Sequence, residues 1–260
     1  MSFPFYIARR YLFSKKSTHA INVISLISVI GVAVATMALV VVLSGFNGFS
    51  DLVASFFTNF DPQIKVEAAK GKAIAADDPT LEKIKSLPSI EVATECVTDQ
   101  ALATYQGRQM MVMVKGVADN FDSLTHISDI LFGEGEFKLH VANLDYGVLG
   151  IGVAQQLNTG EWNNYLHIYA PQRKGQYDAS NPTNAFVADS LLSPKTVFQV
   201  KQGKYDNNYI VTSLAFARRI FNRQGEITSL EIRLKAGEDV DKVKNEIEEI
   251  GGDKFVVKDR

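Results

Sequence analysis

The sequence has very few of the residues from which chemical sites are usually built. It contains one cysteine, Cys96, and four histidines in 260 residues. One cysteine cannot form an internal disulfide framework or a cysteine-rich zinc or iron–sulfur site. His126, His140 and His167 lack the H-x-x-x-H spacing of a helical metal site and have no paired carboxylates beside them. The sequence therefore predicts no metal centre and no bound cofactor.

Motifs of catalysis are also absent. There is no G-x-x-x-x-G-K-[ST] loop, which argues against an intrinsic ATPase of that type. The glycine-rich stretch Gly147–Gly152 does not follow the order G-x-G-x-x-G, so it predicts a tight strand-to-helix turn rather than a nucleotide site. Ser44 and Ser193 have neither a base nor a nucleophile elbow. We expect that the chain is not an enzyme.

Acidic residues are missing from the first 50 positions, which hold four basic groups: Arg9, Arg10, Lys15 and Lys16. Residues 51–260 carry 23 basic and 29 acidic groups, a net charge of −6. An acidic region without a basic stripe argues against binding to nucleic acid, which requires cations to displace counterions.

A long hydrophobic run, Ile21–Phe46, follows the basic residues. Its 26 residues reach ~39 Å as a helix, which exceeds the ~30 Å hydrocarbon core of a bilayer. A buried core helix and a cleaved signal peptide are the alternatives. The run exceeds the ~18 residues that indicate a span rather than a core helix, and it is longer than the apolar region of a typical signal peptide. No small-x-small cleavage site follows it. We predict a transmembrane helix over residues 21–49, with the N-terminus in the cytoplasm and residues 50–260 outside it.

Residues 3–16 alternate apolar clusters with basic pairs. This pattern predicts that residues 1–20 form an interfacial segment, with Arg9, Arg10, Lys15 and Lys16 at the lipid headgroups of the membrane surface. A solvated start of the chain is the alternative.

Small residues form a stripe on the predicted transmembrane helix. At ~100° per residue, the following positions fall within about 100° of one another: Ser28, Gly31, Ala35, Ala38 and Gly45. Such a stripe lets a second helix approach closely, although small residues are also simply common in spanning helices. Because the later run Tyr146–Gly160 is too short and polar to span, the partner helix is expected in another chain or another part of the protein.

The remaining sequence predicts an α+β fold that begins and ends with a β-α-β unit. The first unit has strands Gln63–Ala69 and Ile90–Val97 around helix Pro79–Leu87. The last has strands Ile227–Lys235 and Lys254–Lys258 around helix Asp239–Ile250. In strand Ile227–Lys235, apolar residues alternate with Ser229, Glu231, Arg233 and Lys235, which indicates one polar face.

The two β-α-β units place residues 50–134 and 223–260 in one α/β subdomain, into which residues 135–222 are inserted as a second, mostly β subdomain. A hairpin about Gly107 joins strands Ala101–Gln106 and Gln109–Gly116, and its apolar segment Met110–Val114 is predicted to be central. The inserted subdomain contains the glycine-rich stretch Gly147–Leu157, the polar loop Pro171–Pro182 and the helix Ser213–Asn222. Its predicted strands are Tyr165–Ala170, Thr196–Lys201 and Tyr209–Thr212.

Five stretches of the chain resemble the lipoprotein-releasing ABC transporter permeases of the LolC/LolE type, within the MacB/FtsX-like superfamily: Tyr6–Leu12, Ile21–Phe49, Pro62–Val66, Gly147–Leu157 and Lys204–Asp206. The resemblance implies an inner-membrane subunit that extracts lipoproteins and hands them to a periplasmic carrier. It also implies a separate cytoplasmic ABC ATPase and a second permease subunit.

The resemblance further implies four spanning helices, with a MacB-like periplasmic domain between the first two. This chain then corresponds to an N-terminal part without the last three helices. The residues expected to contact lipid or lipoprotein lie in the upper part of the span: Val40, Val41, Leu43, Phe46 and Phe49. Two alternatives remain. One is a MacB/FtsX-like mechanotransmission or efflux component, and the other is a single-span periplasmic binding or sensing module.

Overall fold

The computed structural model describes residues 3–12, 19–56, 60–133, 136–160, 165–173, 185–193 and 196–259. The chain forms two compact units, Met1–Phe56 and Phe57–Arg260. The first unit contains helices α1 (Phe3–Leu12) and α2 (His19–Phe56). α2 has 38 residues, about 57 Å at the α-helical rise, so it contains the whole predicted span 21–49.

The second unit is a mixed α/β domain. Its α-helices are α3 (Pro79–Lys85), α4 (Phe121–Thr125), α5 (Ile151–Leu157), α6 (Gly203–Asp206), α7 (Leu214–Ile220) and α8 (Val240–Gly251). Its strands are β1 (Ile64–Ala68), β2 (Ile74–Ala75), β3 (Ile90–Tyr105), β4 (Arg108–Val117), β5 (Leu131–Gly133), β6 (His140–Val141), β7 (Leu144–Asp145), β8 (Gly147–Gly150), β9 (Tyr165–Pro171), β10 (Phe186–Leu192), β11 (Thr196–Phe198), β12 (Tyr209–Ser213), β13 (Glu226–Ile227), β14 (Ser229–Leu234) and β15 (Phe255–Asp259).

Eleven of the described strands form one sheet, in which β9 and β10 branch from the path β15-β1-β14-β3-β4-β12-β8-β11-β5. β1 and β3 are both antiparallel to β14, which lies between them, and β14 and β15 are both antiparallel to β1. The two β-α-β units are therefore interleaved, in the strand order of a ferredoxin-like fold. The β-α-β units predicted for the two ends do lie in one sheet.

Helices α3 and α8 cover one face of these four strands. Leu81 and Ile84 of α3 join Val243 and Ile247 of α8 in a buried cluster with the strand residues. Each helix begins at an aspartate cap: Asp78 accepts a hydrogen bond from the amide of Thr80 at 2.7 Å, and Asp239 caps α8 in the same way. Local sequence signals thus fix both helix starts, and their apolar faces fix the packing.

The other half of the sheet continues from β4. β12 pairs with β4 in parallel, and β8 pairs with β12 antiparallel, so β4 is a central strand as predicted. β3 is one strand of 16 residues, whereas the sequence predicted two strands interrupted after Val97. Asp99 and Gln100 continue the ladder opposite Val114 and Met113, so their polar side chains do not end the strand.

Strand β10 was not predicted. It pairs with β9, and β9 pairs with the far end of β3 at Leu102–Thr104. Strands from residues 50–134, 135–222 and 223–260 therefore all belong to the same sheet. The boundaries proposed for the two subdomains, and for the interfacial segment 1–20, stay predictions.

The glycine-rich stretch after β7 is a tight turn from β8 into α5, as expected. A Cβ atom on Gly150 would collide with the backbone carbonyl oxygen of Asp206, and one on Gly152 would collide with the side chain of Asn207. These two glycines therefore let α5 lie directly against the α6 turn. The turn is itself held by Asp206, whose carboxylate accepts a hydrogen bond from the amide of Val200 at 2.8 Å.

Candidate membrane interface and polar centre

The apolar part of α2 is exposed along its whole length. Every residue from Val23 to Phe49 is exposed, and within the described part of the chain this is the one helix long and apolar enough to cross a membrane. In water, 27 exposed and mostly apolar residues would be strongly unfavourable, because each apolar side chain adds surface that burial would otherwise remove. The helix therefore requires lipid or other helices around it.

The predicted packing stripe lies on one side of this helix. Gly31 and Gly45 carry no Cβ atom, and small residues of this kind let a neighbouring helix backbone approach closely. The hydroxyl of Ser28 donates to the carbonyl oxygen of Ile24 at 2.9 Å, which satisfies that polar group within the helix. Packing of Ser28, Gly31, Ala35, Ala38 and Gly45 against another helix stays a prediction.

The residues predicted to contact lipid or lipoprotein are exposed but do not share one face. At about 100° per residue, Phe46 and Phe49 lie on the stripe side, whereas Val40, Val41 and Leu43 point elsewhere around the helix. If a partner helix packs against the stripe of α2, Phe46 and Phe49 therefore lie near that partner. The assignment of these residues to a lipid cavity stays a prediction.

Helix α1 has an amphipathic composition. Phe3, Phe5 and Tyr6 are exposed apolar residues, and Arg9 and Arg10 occupy the last turn. The basic end complements the negative end of the helix dipole, and both arginines are exposed. Lys15 and Lys16, the other two residues assigned to the membrane surface, lie outside the described residues, as does most of the Pro171–Pro182 loop.

The second unit has a buried ion pair on one face of its sheet, between strands β4 and β14, which flank β3. The Lys115 ammonium of β4 lies 2.8 Å from the carboxylate of Glu231 on β14, and both side chains are buried. The lysine also lies between two aromatic rings, with Nζ 4.8 Å from the centroid of Phe60 and 4.9 Å from that of Phe121. The rings exclude water, and their faces attract the ammonium group.

The polar face predicted for β14 is not open to solvent at Glu231. Glu231 is 2% exposed, because the aromatic layer covers that face and Lys115 neutralises the carboxylate. Burial alone would lower the pKa of Lys115, but the charge of Glu231 raises it above its ordinary value. The lysine is therefore a cation and not a base.

Cys96 lies beside this ion pair on β3 and is completely buried. Burial raises the pKa of its thiol well above the ordinary value, and the negative charge of Glu231 raises it further. The thiolate, which is the reactive form, is therefore suppressed.

A family comparison identifies the domain. Residues 25–250 match the family described as the MacB-like periplasmic core domain. The chain belongs to this MacB-like family. The predicted fold class is thereby confirmed: one N-terminal apolar helix precedes a mixed α/β MacB-like domain with a large sheet. None of the proteins of curated function is similar to the chain at a significant level.

Three solved structures are similar to the MacB-like chain. The extracellular domain of the noncanonic ABC-type transporter YknZ from Gram-positive bacteria is 7% identical, with a TM-score of 0.49, over 75% of this chain and 99% of that chain. The periplasmic region of MacB from Actinobacillus actinomycetemcomitans is 7% identical, with a TM-score of 0.46, over 75% and 87%. A domain of a putative permease protein from Porphyromonas gingivalis is 9% identical, with a TM-score of 0.36, over 77% and 90%.

Membership in the MacB-like family supports a general role of the ABC transporter permease type. Members of the MacB/FtsX-like group work with cytoplasmic ATPases and form dimers, which supports an ATPase as one kind of partner for this chain. The exposed apolar helix and the MacB-like domain are consistent with a membrane protein that has an extracytoplasmic segment.

Sequence reasoning did not find the buried polar centre. Lys115 ends an apolar run and Glu231 sits in an alternating strand, so each has the pattern of a solvated residue. The one sequence feature that pointed to this centre is the stretch Lys204–Asp206, which resembles the family. Its Tyr205 packs directly against Phe60, with ring centroids 4.7 Å apart.

Proposed function

We propose that the chain is the membrane permease subunit of an ABC transporter of the lipoprotein-releasing LolC/LolE type. In this role it extracts lipoproteins from the inner membrane and passes them to a periplasmic carrier, driven by a separate cytoplasmic ATPase subunit. The N-terminus lies in the cytoplasm and residues 50–260 lie in the periplasm. The observation that carries the proposal is an exposed, membrane-length apolar helix joined in one chain to a MacB-like core domain.

The helix surface supports assembly with a second permease subunit and with further spanning helices. Gly31 and Gly45 leave room for a close helix neighbour, and Phe46 and Phe49 stand on the same side. A lipoprotein carries acyl chains, which would pack against apolar side chains at this upper end of the span. Arg9 and Arg10 would hold α1 at anionic lipid headgroups on the cytoplasmic side.

The chain itself performs no chemistry in this proposal. Its described residues contain no group of three or more His, Cys, Asp or Glu side chains arranged to hold a metal ion. Two deeply buried charges, Lys115 and Glu231, neutralise each other under a layer of aromatic rings. In this proposal a separate ATPase partner supplies the energy for transport, and the chain converts that energy into movement.

A detergent pull-down of the native protein from its own membranes, read by mass spectrometry, tests the partner. We expect an ABC ATPase and a second permease subunit with the bait. Copurification without any ATPase would contradict the proposal and favour a single-span binding or sensing module.

Cargo is tested with the purified complex in proteoliposomes that contain a triacylated lipoprotein and a soluble carrier. ATP should release the lipoprotein to the carrier, and a non-acylated form of the same protein is the matched control. ATP-dependent export of a small molecule in place of the lipoprotein would move the assignment to an efflux component.

A further inference from the structure

Phe60 is the first described residue after α2, four positions beyond Phe56 in the sequence. Its side chain is 1% exposed and lies inside an aromatic cluster. The ring stacks on Phe198 with centroids 5.3 Å apart, and it contacts Phe121, Tyr205 and Tyr209 with centroids 4.7–6.0 Å away. Phe60 is thus fixed in the domain by its ring before the first strand, β1, begins at Ile64.

The next residue is held by a polar contact to the same cluster. The Tyr205 hydroxyl donates a hydrogen bond to the carboxylate of Asp61 and accepts one from Nζ of Lys204 at 2.9 Å. Two successive residues, Phe60 and Asp61, therefore dock on one tyrosine, one through packing and the other through hydrogen bonding.

The ring of Phe60 also covers the buried ion pair. It forms one of the two aromatic walls around the Lys115 ammonium group, which pairs with Glu231. Cys96 belongs to the same buried cluster as Phe60. Withdrawal of Phe60 would therefore admit water to a charge pair and a thiol that are otherwise sealed.

We propose that Phe60 and Asp61 form a latch through which displacement of the spanning helix opens the polar centre of the periplasmic domain. A pull transmitted along the chain from α2 reaches Phe60 and Asp61 before it reaches any strand, so the latch yields first. Phe60 and Asp61 act as positioning residues in this device. The proposal rests on the proposed function, because an ATP-driven partner supplies the displacement.

The native Cys96 provides the assay, because it is the one cysteine in the sequence. The full chain, purified with its ATPase, is reacted with a maleimide with and without a non-hydrolysable ATP analogue. In the wild type, the analogue should change the labelling rate by about tenfold or more, as expected for local opening of a buried site. Phe60→Ala should raise the basal rate by about 100-fold and remove the response to nucleotide.

Phe198→Ala is the matched control. Phe198 is equally buried and stacks on Phe60, but it is not in the segment that leaves α2. Its truncation should raise the basal rate yet keep the nucleotide response, which separates a latch from general loosening of the core. Asp61→Ala, at a partly exposed position that tolerates truncation, should weaken the response, and Asp61→Asn, which retains an acceptor for Tyr205, should restore most of it.

Equal nucleotide responses in Phe60→Ala and Phe198→Ala would overturn the latch, as would a wild-type chain that shows no response with ATPase bound. If no ATPase copurifies, the proposed function fails, and the latch is then tested by tension. The full chain is stretched between its termini in bicelles with magnetic tweezers. A short opening step before domain unfolding should be present in the wild type and Phe198→Ala and absent in Phe60→Ala, and its persistence in Phe60→Ala would refute the latch.

Discussion

Gly150 illustrates how a single missing side chain positions two elements. The backbone carbonyl of Asp206 occupies the space that a Cβ would need, so even alanine must push α5 away from the α6 turn. The pattern at Gly147–Gly152 predicted a tight turn, but the sequence could not show what the turn approaches. That information lies in a contact between segments more than 50 residues apart.

We expect Gly150→Ala to lower the free energy of unfolding by about 1–3 kcal/mol, since the clash is with backbone and cannot be relieved by a rotamer change. Urea unfolding of the full chain in detergent, followed by circular dichroism, measures the loss. Gly160→Ala is the control, because nothing lies within 4 Å of a Cβ at Gly160. Equal midpoints for the two variants would show that the α5–α6 contact is misassigned.

Glu95 links three elements and makes the domain sensitive to acid. Burial would raise the pKa of its carboxyl, but Lys85 of α3 and Arg218 of α7, each 2.9 Å away, hold the pKa below its ordinary value of 4.5. Because the folded pKa is lower than the unfolded one, the stabilisation is complete above about pH 4.5 and is lost as the pH falls through the folded pKa.

Glu95→Gln should cost about 1–2 kcal/mol at pH 7, since charge-assisted hydrogen bonds are lost. The variant should also lose part of the wild-type destabilisation below pH 4.5, which urea midpoints measured from pH 3 to pH 7 would reveal. Glu238→Gln, at an exposed position, should leave the profile unchanged. A parallel wild-type and Glu95→Gln profile in acid would contradict the role given to Glu95.

Among the elements, those with strong local signals were the ones that the sequence predicted. α3 and α8 have aspartate caps and regular apolar spacing, and both formed within a few residues of the predicted bounds. β3 was split in the prediction because Asp99 and Gln100 interrupt its apolar pattern, although their backbones still pair with β4. β10 was missed because its partner β9 lies across a polar loop, and such pairing has no local signature.

The apolar surface of α2 is exposed. Whether its stripe of small residues packs against another helix can be tested with a larger side chain. Ala35→Leu should weaken helix association in membranes by about 1–2 kcal/mol, because the larger side chain separates the two backbones. Resonance energy transfer between labelled full-length chains in bicelles measures the change.

Ala33→Leu is the matched control, since Ala33 lies on the opposite side of the same helix at about 160° from Ala35. It should associate like the wild type. If both variants associate equally well, the small residues are not a packing surface.

The whole chain joins an exposed apolar helix, α2, to an α/β domain, and its charge distribution predicts how the two are oriented in a membrane. The sequence predicts this organisation because hydropathy and charge are additive along the chain. The buried centre at Lys115 and Glu231 could not be predicted in this way, since it requires β4 and β14 to lie on either side of β3.

The orientation predicts which side of the membrane holds Cys96. In inside-out vesicles, a membrane-impermeant maleimide should leave Cys96 unlabelled even in urea. In right-side-out vesicles in urea, the same maleimide should label Cys96. A chain with Cys96→Ser and Ser2→Cys should give the reverse pattern. Labelling of Cys96 only in inside-out vesicles would place the domain in the cytoplasm.

The interleaved sheet also governs how the domain is made. β1 pairs on one side with β14 and on the other with β15, so Ile64 meets Ile232 and Asp259. During synthesis β1 emerges early and waits for β14, which ends at Leu234, and then for β15, which ends at Asp259, a delay on the order of ten seconds or more. Each edge of β1 is open to wrong partners until its own partner strand has been made. We therefore expect slow folding that completes only after translation of the last strand, and dependence on a chaperone that shields β1 while it waits.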